Sequence, residues 1–168
     1  TREELERYDL VLVASQSHAA RLAGELSVPV LPFLQATDPE HFRPEPRVKK
    51  EFDLVFVGNN GGAGREEMRR IIADLLPTRH KLGVWGDGWE GKLPPGVWQG
   101  RFVPWEKLPL IYSCATIVLN DHQPEMLKNG FVNNRTFDAA ACGAVVVSDA
   151  VVGMKDVLPG QAYQGRAQ

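Results

Sequence analysis

What this chain has little of narrows its class. Its 168 residues hold two cysteines, Cys114 and Cys142, which make no CxxC pair and no disulfide framework and suit a reducing cytoplasm. Charge of neither sign dominates. The formal net charge is −2 and the pI about 6.1, so there is no field to hold nucleic acid or an anionic membrane, and any phosphate site must be local. No apolar run approaches the ~20 residues that span a bilayer, and no signal peptide opens the sequence. The four histidines, His18, His41, His80 and His122, lack metal-ligand spacing, so no metal site is expected. Repeats and low-complexity tracts are also missing.

What is there is a globular composition, 43% hydrophobic and 24% charged, enough to bury about one ordinary domain core. Short apolar runs at 9–14, 28–33, 52–57, 81–85, 97–103, 116–119 and 144–147 have the length and branching of strands. The run at 9–14 is continuous, as in parallel strands covered on both faces. Between them, helices are expected at 18–26 behind Ser17, at 65–76, at 106–114 behind Pro104, from Asn133 or Asn134 to Gly143, and within 151–158. This alternation predicts an α/β fold: a Rossmann-like parallel sheet with helices on both faces and a ligand cleft at the strand carboxyl ends. Residues 35–47 carry Pro39, Pro44 and Pro46 among polar side chains, a linker composition.

Two glycine-rich turns follow predicted strands. Gly58, Asn59, Asn60, Gly61, Gly62, Ala63 and Gly64 form a strand-to-helix turn that lets backbone approach a phosphate, although neither GxGxxG nor the Walker pattern fits it. A flexible surface turn has the same composition. The second, Gly86 to Gly91, is a literal GxGxxG. Lys92, Leu93, Pro94, Pro95 and Gly96 behind it cannot open a helix, so no helix dipole is aimed at a pyrophosphate and a dinucleotide site is rejected.

The most informative stretch runs from Asn120 to Asp149. It is read as one loop and one helix between two strands, the helix capped by Asn133 or Asn134, packed through Phe137, Ala140 and Ala141, and stopped by Gly143. A helix start at the carboxyl end of a parallel sheet is a natural seat for phosphate, and Arg135 adds a full charge there. Asp138, three residues on, falls on nearly the same face, where a carboxylate can accept hydrogen bonds from sugar hydroxyls. Arg135 and Asp138 could equally pair with each other. His122, just past a predicted strand, is either a sugar contact or a solvated loop residue.

The run from Arg135 through Asp138, Ala139, Ala140, Ala141, Cys142 and Gly143, followed by an apolar strand and Ser148 and Asp149, resembles the donor-nucleotide segment of GT-B glycosyltransferases, most closely the CgeB-like (spore-maturation) branch of the group 1 families. In the wider group two glutamates separated by seven residues stand in this segment. Asp138 takes the place of the second; the first would fall at Gly130 and is missing. Asp38, four residues before Phe42, with Pro44 following, resembles the inter-domain segment of these enzymes. Gly86 to Trp89 resembles a Gly-x-Gly-Trp turn of the CgeB-like branch. Gly100 to Pro104 with Leu108, Pro109, Tyr112, Ser113 and Ala115 resembles the segment that frames the base.

The resemblance implies a glycosyltransferase fragment moving a sugar from a nucleoside-diphosphate sugar to a hydroxyl acceptor, with no cofactor beyond that substrate. It implies that 1–46 are the end of an amino-terminal acceptor domain plus linker, and 47–168 a donor-binding, Rossmann-like domain. Gly58, Asn59, Arg65, Asn133, Asn134 and Arg135 would hold the diphosphate, Asp138 the ribose, and Arg101, Phe102 and Val103 the base. Simple core packing is the other reading of Phe102. The opening at Thr1 and the polar 161–168 stretch suggest a piece of a longer protein, and residues 1–168 alone are expected to be inactive. A nucleotide-binding or structural module of the same fold is the alternative.

Overall fold

The computed structural model describes residues 1–61 and 67–158. In chain order its elements are α1 (Arg2–Leu5), β1 (Val11–Val13), α2 (Gln16–Ala23), β2 (Val30–Pro32), β3 (Phe52–Val57), α3 (Arg70–Ala73), β4 (Leu82–Trp85), β5 (Trp98–Gly100), a 3-10 turn (Trp105–Lys107), α4 (Leu108–Ser113), β6 (Ala115–Asn120), α5 (Pro124–Asn129), α6 (Asn134–Ala141), β7 (Val145–Ser148) and α7 (Met154–Val157). They divide into two compact units. One comprises Thr1–Ala36, His122–Asn134 and the described part of Ala150–Gln168; the other comprises Thr37–Asp121 and Arg135–Asp149.

In the first unit β1 and β2 pair in parallel, Val11 opposite Val30, with α2 as the crossover. Val11, Val13, Ala19 and Leu26 form its buried core, and Phe131 packs on it. The helix starts earlier than the sequence suggested. Ser15, in extended backbone, accepts from the His18 N–H at 3.2 Å and caps α2, while Ser17 lies inside the first turn. Two short helices were not anticipated. Thr1 and Glu4 form a capping box on α1, and α5 lies where a loop was expected. The signals for α5 were present: Pro124 in its first turn and Gly130 closing it at φ +71°.

The second unit is a five-stranded parallel sheet in the order β5-β4-β3-β6-β7. Its three central strands, β4, β3 and β6, are largely buried, so successive residues feed different cores, while β7 at the edge leaves Val145 and Val147 exposed. Leu54 and Phe56 of β3 join Leu82, Val84, Leu119, Ile72 and Trp89 on one face. Val55 joins Val118, Tyr112, Ala139, Cys142 and Phe42 on the other. At the end of α4 the Lys50 ammonium donates to the carbonyls of Ser113 and Ala115, at 2.9 and 2.6 Å. Helix α6 stops as the sequence indicated. Gly143, at φ +77°, donates to the Ala140 carbonyl and Ala144 donates to that of Ala139, a Schellman closure.

The strand order carries the functional geometry. From β3 the chain moves outward to β4 and β5, then returns to lay β6 on the other side of β3. The reversal falls between the carboxyl ends of β3 and β6, where open α/β sheets form their ligand crevice. Gly58 follows the first of these strands and Asp121 the second.

Candidate functional site

The turn after β3 is built by its neighbour after β4. The Gly58 N–H donates to the Trp85 carbonyl at 2.8 Å, and the Trp89 indole N–H donates to the Gly58 carbonyl at 2.8 Å. Asn59 accepts from the Asp87 N–H, and the Asn60 N–H donates to the Asp87 carbonyl, both at 2.9 Å. Trp89 is fully buried, edge-on to Phe56 at 5.8 Å. Gly86 sits at φ +138°, and a Cβ there would strike the Gly58 carbonyl. The GxGxxG match is therefore a brace for the Gly58 turn, and residues 92–96 form no helix. Asn60 is buried and accepts from the Arg69 N–H at 2.9 Å. Arg65, expected at the diphosphate, lies outside the described residues.

Arg135 stands over this turn. Its Nη1 donates to Oδ1 of Asn120 at 2.9 Å, its guanidinium lies 4.7 Å from the centre of the Phe56 ring, and a Cβ on Gly58 would come within 2.5 Å of Nη2. Glycine at 58 is what lets the charge reach the backbone. Asn120, fully buried at the end of β6, is held by donating to Thr136 and Ser148 at 3.1 and 2.9 Å. Burial lowers the pKa of Arg135, opposed by hydrogen bonding to Tyr112 and by Asp121, while the Tyr112 phenol is itself pushed up to about 12 by burial.

A second guanidinium, Arg69, approaches the same Phe56 ring at 5.7 Å. It is neutralised in place. Its Nε reaches both Asp121 carboxylate oxygens, at 3.0 and 2.9 Å, and its Nη2 donates to the Asp121 carboxylate and, at 3.1 Å, to the Asp121 carbonyl. Arg135 has only uncharged hydrogen-bond partners among the described residues. Of the two guanidiniums at the crevice, Arg69 is the one hydrogen-bonded to a carboxylate.

Asp138 faces elsewhere. Its Oδ1 accepts from the Thr37 hydroxyl at 2.7 Å, and burial raises its pKa, opposed by that hydrogen bond, His41 and Arg135. The pairing of Arg135 with Asp138 that spacing allowed does not occur: each side chain has its own partners. His41 stacks on Trp105 with ring centres 3.4 Å apart and donates to its carbonyl at 3.1 Å.

The base-binding candidates follow the shortened β5. Arg101 is held by Glu90 at 2.6 Å and Asp87 at 3.6 Å, and Val103 is half-buried. Phe102 is 76% exposed, which overturns core packing as its role. Asn133, Asn134 and His122 belong to the first unit. His122 is buried rather than solvated, and its Nε2 accepts from the Asn133 N–H at 3.2 Å. At Gly130, where the glutamate is missing, φ is +71° and an added Cβ would lie 2.9 Å from Ser17 Oγ, so a side chain there is strained and makes Ser17 turn aside.

The structure thus gathers Gly58, Asn59, Arg135 and Asp138 in one unit, with Arg101, Phe102 and Val103 at the end of its neighbouring strand. Asn120, Asp121, Arg69 and Thr37 are additions. Asn120 and Asp121 were detectable as polar residues directly behind a strand; Arg69 and Thr37 had no local signal. Both cysteines are free and buried. Among the described residues no cluster of three or more His, Cys, Asp or Glu side chains could hold a metal ion. No helix among them is long and apolar enough to cross a membrane.

Five parallel strands in this order, flanked by helices, define a Rossmann-like α/β domain of the GT-B type. Residues 65–163 match the family model described as glycosyl transferase-like, and the chain belongs to that family. Among solved structures, a sucrose-phosphate synthase from Thermosynechococcus elongatus matches 94% of this chain with a TM-score of 0.63 at 19% identity. The match covers 45% of that protein. No curated protein matches this chain in sequence.

Proposed function

We propose that this chain is the donor-binding part of a glycosyltransferase of the CgeB-like branch, which moves a sugar from a nucleoside-diphosphate sugar to a hydroxyl acceptor. The observation that carries the reading is the Arg135 guanidinium, held against Gly58 at the strand crossover by the neutral Asn120 amide, with the Asp121 carboxylate acting on it through charge and engaged by Arg69. In such a transfer the hard step is departure of the diphosphate, so donors fixed in advance around its oxygens matter most. Arg135, Gly58 and Asn59 take that duty. Asp138 takes the ribose hydroxyls and Arg101 to Val103 the base.

The reading places 1–46 at the end of an acceptor domain with its linker, and 47–168 in the donor domain of a cytoplasmic enzyme. It is supported by the two-stranded first sheet, which leaves Leu12, Leu31 and Phe33 between 52 and 68% exposed, an apolar surface that more strands of the same chain would cover. The reading leaves the acceptor-side base to the acceptor domain and holds the segment alone inactive, because half a cleft cannot exclude water. Gly130 favours a second reading, a nucleotide-binding module that performs no transfer, since the sugar-contacting glutamate of the wider group is missing there and the left-handed backbone would strain it.

A thermal-shift series with UDP, GDP, ADP and NAD tests the site, because a ligand of the native state raises apparent stability by mass action. The expected result is stabilisation by at least one nucleoside diphosphate and none by NAD. Stabilisation by NAD alone would overturn it. Transfer assays of the full-length protein with a sugar donor then separate enzyme from module.

A further inference from the structure

Thr37 enters the site from a segment whose composition suggested only a linker. The segment is a built turn. Asp38 accepts from the Glu40 N–H at 2.9 Å, its carbonyl accepts from the Phe42 N–H at 2.8 Å, and the Phe42 ring is buried in the core beneath α6. Anchored in this way, the turn delivers the Thr37 hydroxyl to Asp138 at 2.7 Å, across 101 residues of sequence. The same turn carries His41, locked by its stacking on Trp105.

A carboxylate that is to accept from a sugar diol must be charged and correctly rotated. Burial works against the charge, and a protonated carboxyl turns one of its acceptors into a donor. A hydroxyl donating to one oxygen favours the charged form and fixes the rotamer, and it leaves the second oxygen and one lone pair of the first to accept. We propose that Thr37 is a positioning residue for Asp138: its hydroxyl holds the buried carboxylate oriented and ionised for the two hydroxyls of a ribose. This rests on the donor-site reading above and assigns the linker turn a part in it. The groups that face Asp138 are His41 from the turn, Arg135 from its own helix, Cys142 just past that helix's end, and Tyr112 from α4. None of them donates a hydrogen bond to its carboxylate among the described residues.

The test uses the full-length protein and the variants Thr37→Val and Thr37→Ser, with two readouts. Carboxyl-carbon NMR of Asp138 against pH needs no ligand: Val should raise the titration midpoint and Ser should restore it. Calorimetry with UDP, GDP and ADP should show the Val variant about two- to tenfold weaker than the parent for the nucleotide that binds, as for loss of one hydrogen bond. The deficit should widen as pH falls toward the Asp138 titration, and Ser should remove it. An Asp138 midpoint unmoved by Val overturns the proposal even if the variant melts earlier, because a merely structural threonine would alter stability alone. If the midpoint moves but the parent binds none of the three nucleotides, the donor-site reading fails, and the role for ribose fails with it. If nucleotides bind and the midpoint stays, only the assignment to Thr37 is lost.

Discussion

Asp138 is costly where it stands, and that cost has a testable sign. Its pKa in the folded protein lies above the ordinary 3.8 because burial disfavours the charge more than Thr37, His41 and Arg135 favour it. Folding is therefore helped by protonation. That contribution is fully present below the unfolded carboxyl value and is lost as pH rises through the raised folded value. Asp138→Asn keeps an oxygen for Thr37 and removes the titration. It should melt higher than the parent at pH 7, with the advantage shrinking to nothing below about pH 3.8. Thermal melts across that range check this, and an Asn variant less stable than the parent at pH 7 would contradict it. At this scale the sequence revealed the chemistry but not the partners. Arg135 and Asp138 were recognisable because three residues on one helix set their relation. Thr37 reaches Asp138 across 101 residues and Arg69 reaches Asp121 across 52, and no local pattern records such meetings.

Among the elements, the turns after β3 and β4 work as a pair, and the two glycines within them differ in kind. Gly86 presses backbone against backbone at a positive φ, so Gly86→Ala should destabilise the protein by about 1–3 kcal/mol or more, read by urea denaturation. Gly58 is crowded by the mobile end of Arg135 and the edge of Phe56. Gly58→Ala should therefore displace the guanidinium, weakening nucleoside diphosphate more than it lowers stability. If both substitutions cost the same stability and neither alters binding, the turn is a scaffold only. Strands were the elements best legible in sequence. β3 and β6 are mainly apolar runs of branched and aromatic residues, broken only by Asp53 in β3 and by Thr116 and Asn120 in β6, and both lie where expected. α5 was passed over because six residues are too few for helical periodicity to register, although Pro124 and Gly130 marked its ends. β5 proved shorter than its apolar run because Gly100, at φ +150°, ends it and turns Arg101 to Val103 out of the sheet.

For the molecule as a whole, the alternation of apolar runs with helical stretches was enough for the class of fold, since a parallel sheet needs a crossover between successive strands. It was not enough for the strand order, which depends on which strand β6 pairs with after its return. That order puts Gly58 and Asn120 side by side and so makes one site of residues far apart in the chain. The central claim is that Arg135 and Asp138 are separate contacts to one nucleotide, and calorimetry on Arg135→Ala and Asp138→Asn tests it most directly. Arg135→Ala should remove a charge-assisted bond of roughly 1.5–3 kcal/mol, weakening nucleoside diphosphate about ten- to a hundredfold with much less effect on the nucleoside. Asp138→Asn should weaken both alike and discriminate poorly between ribose and its 2′- or 3′-deoxy forms. Unchanged affinities in both variants would contradict the account and leave a glycosyltransferase fold without the nucleotide chemistry assigned to it.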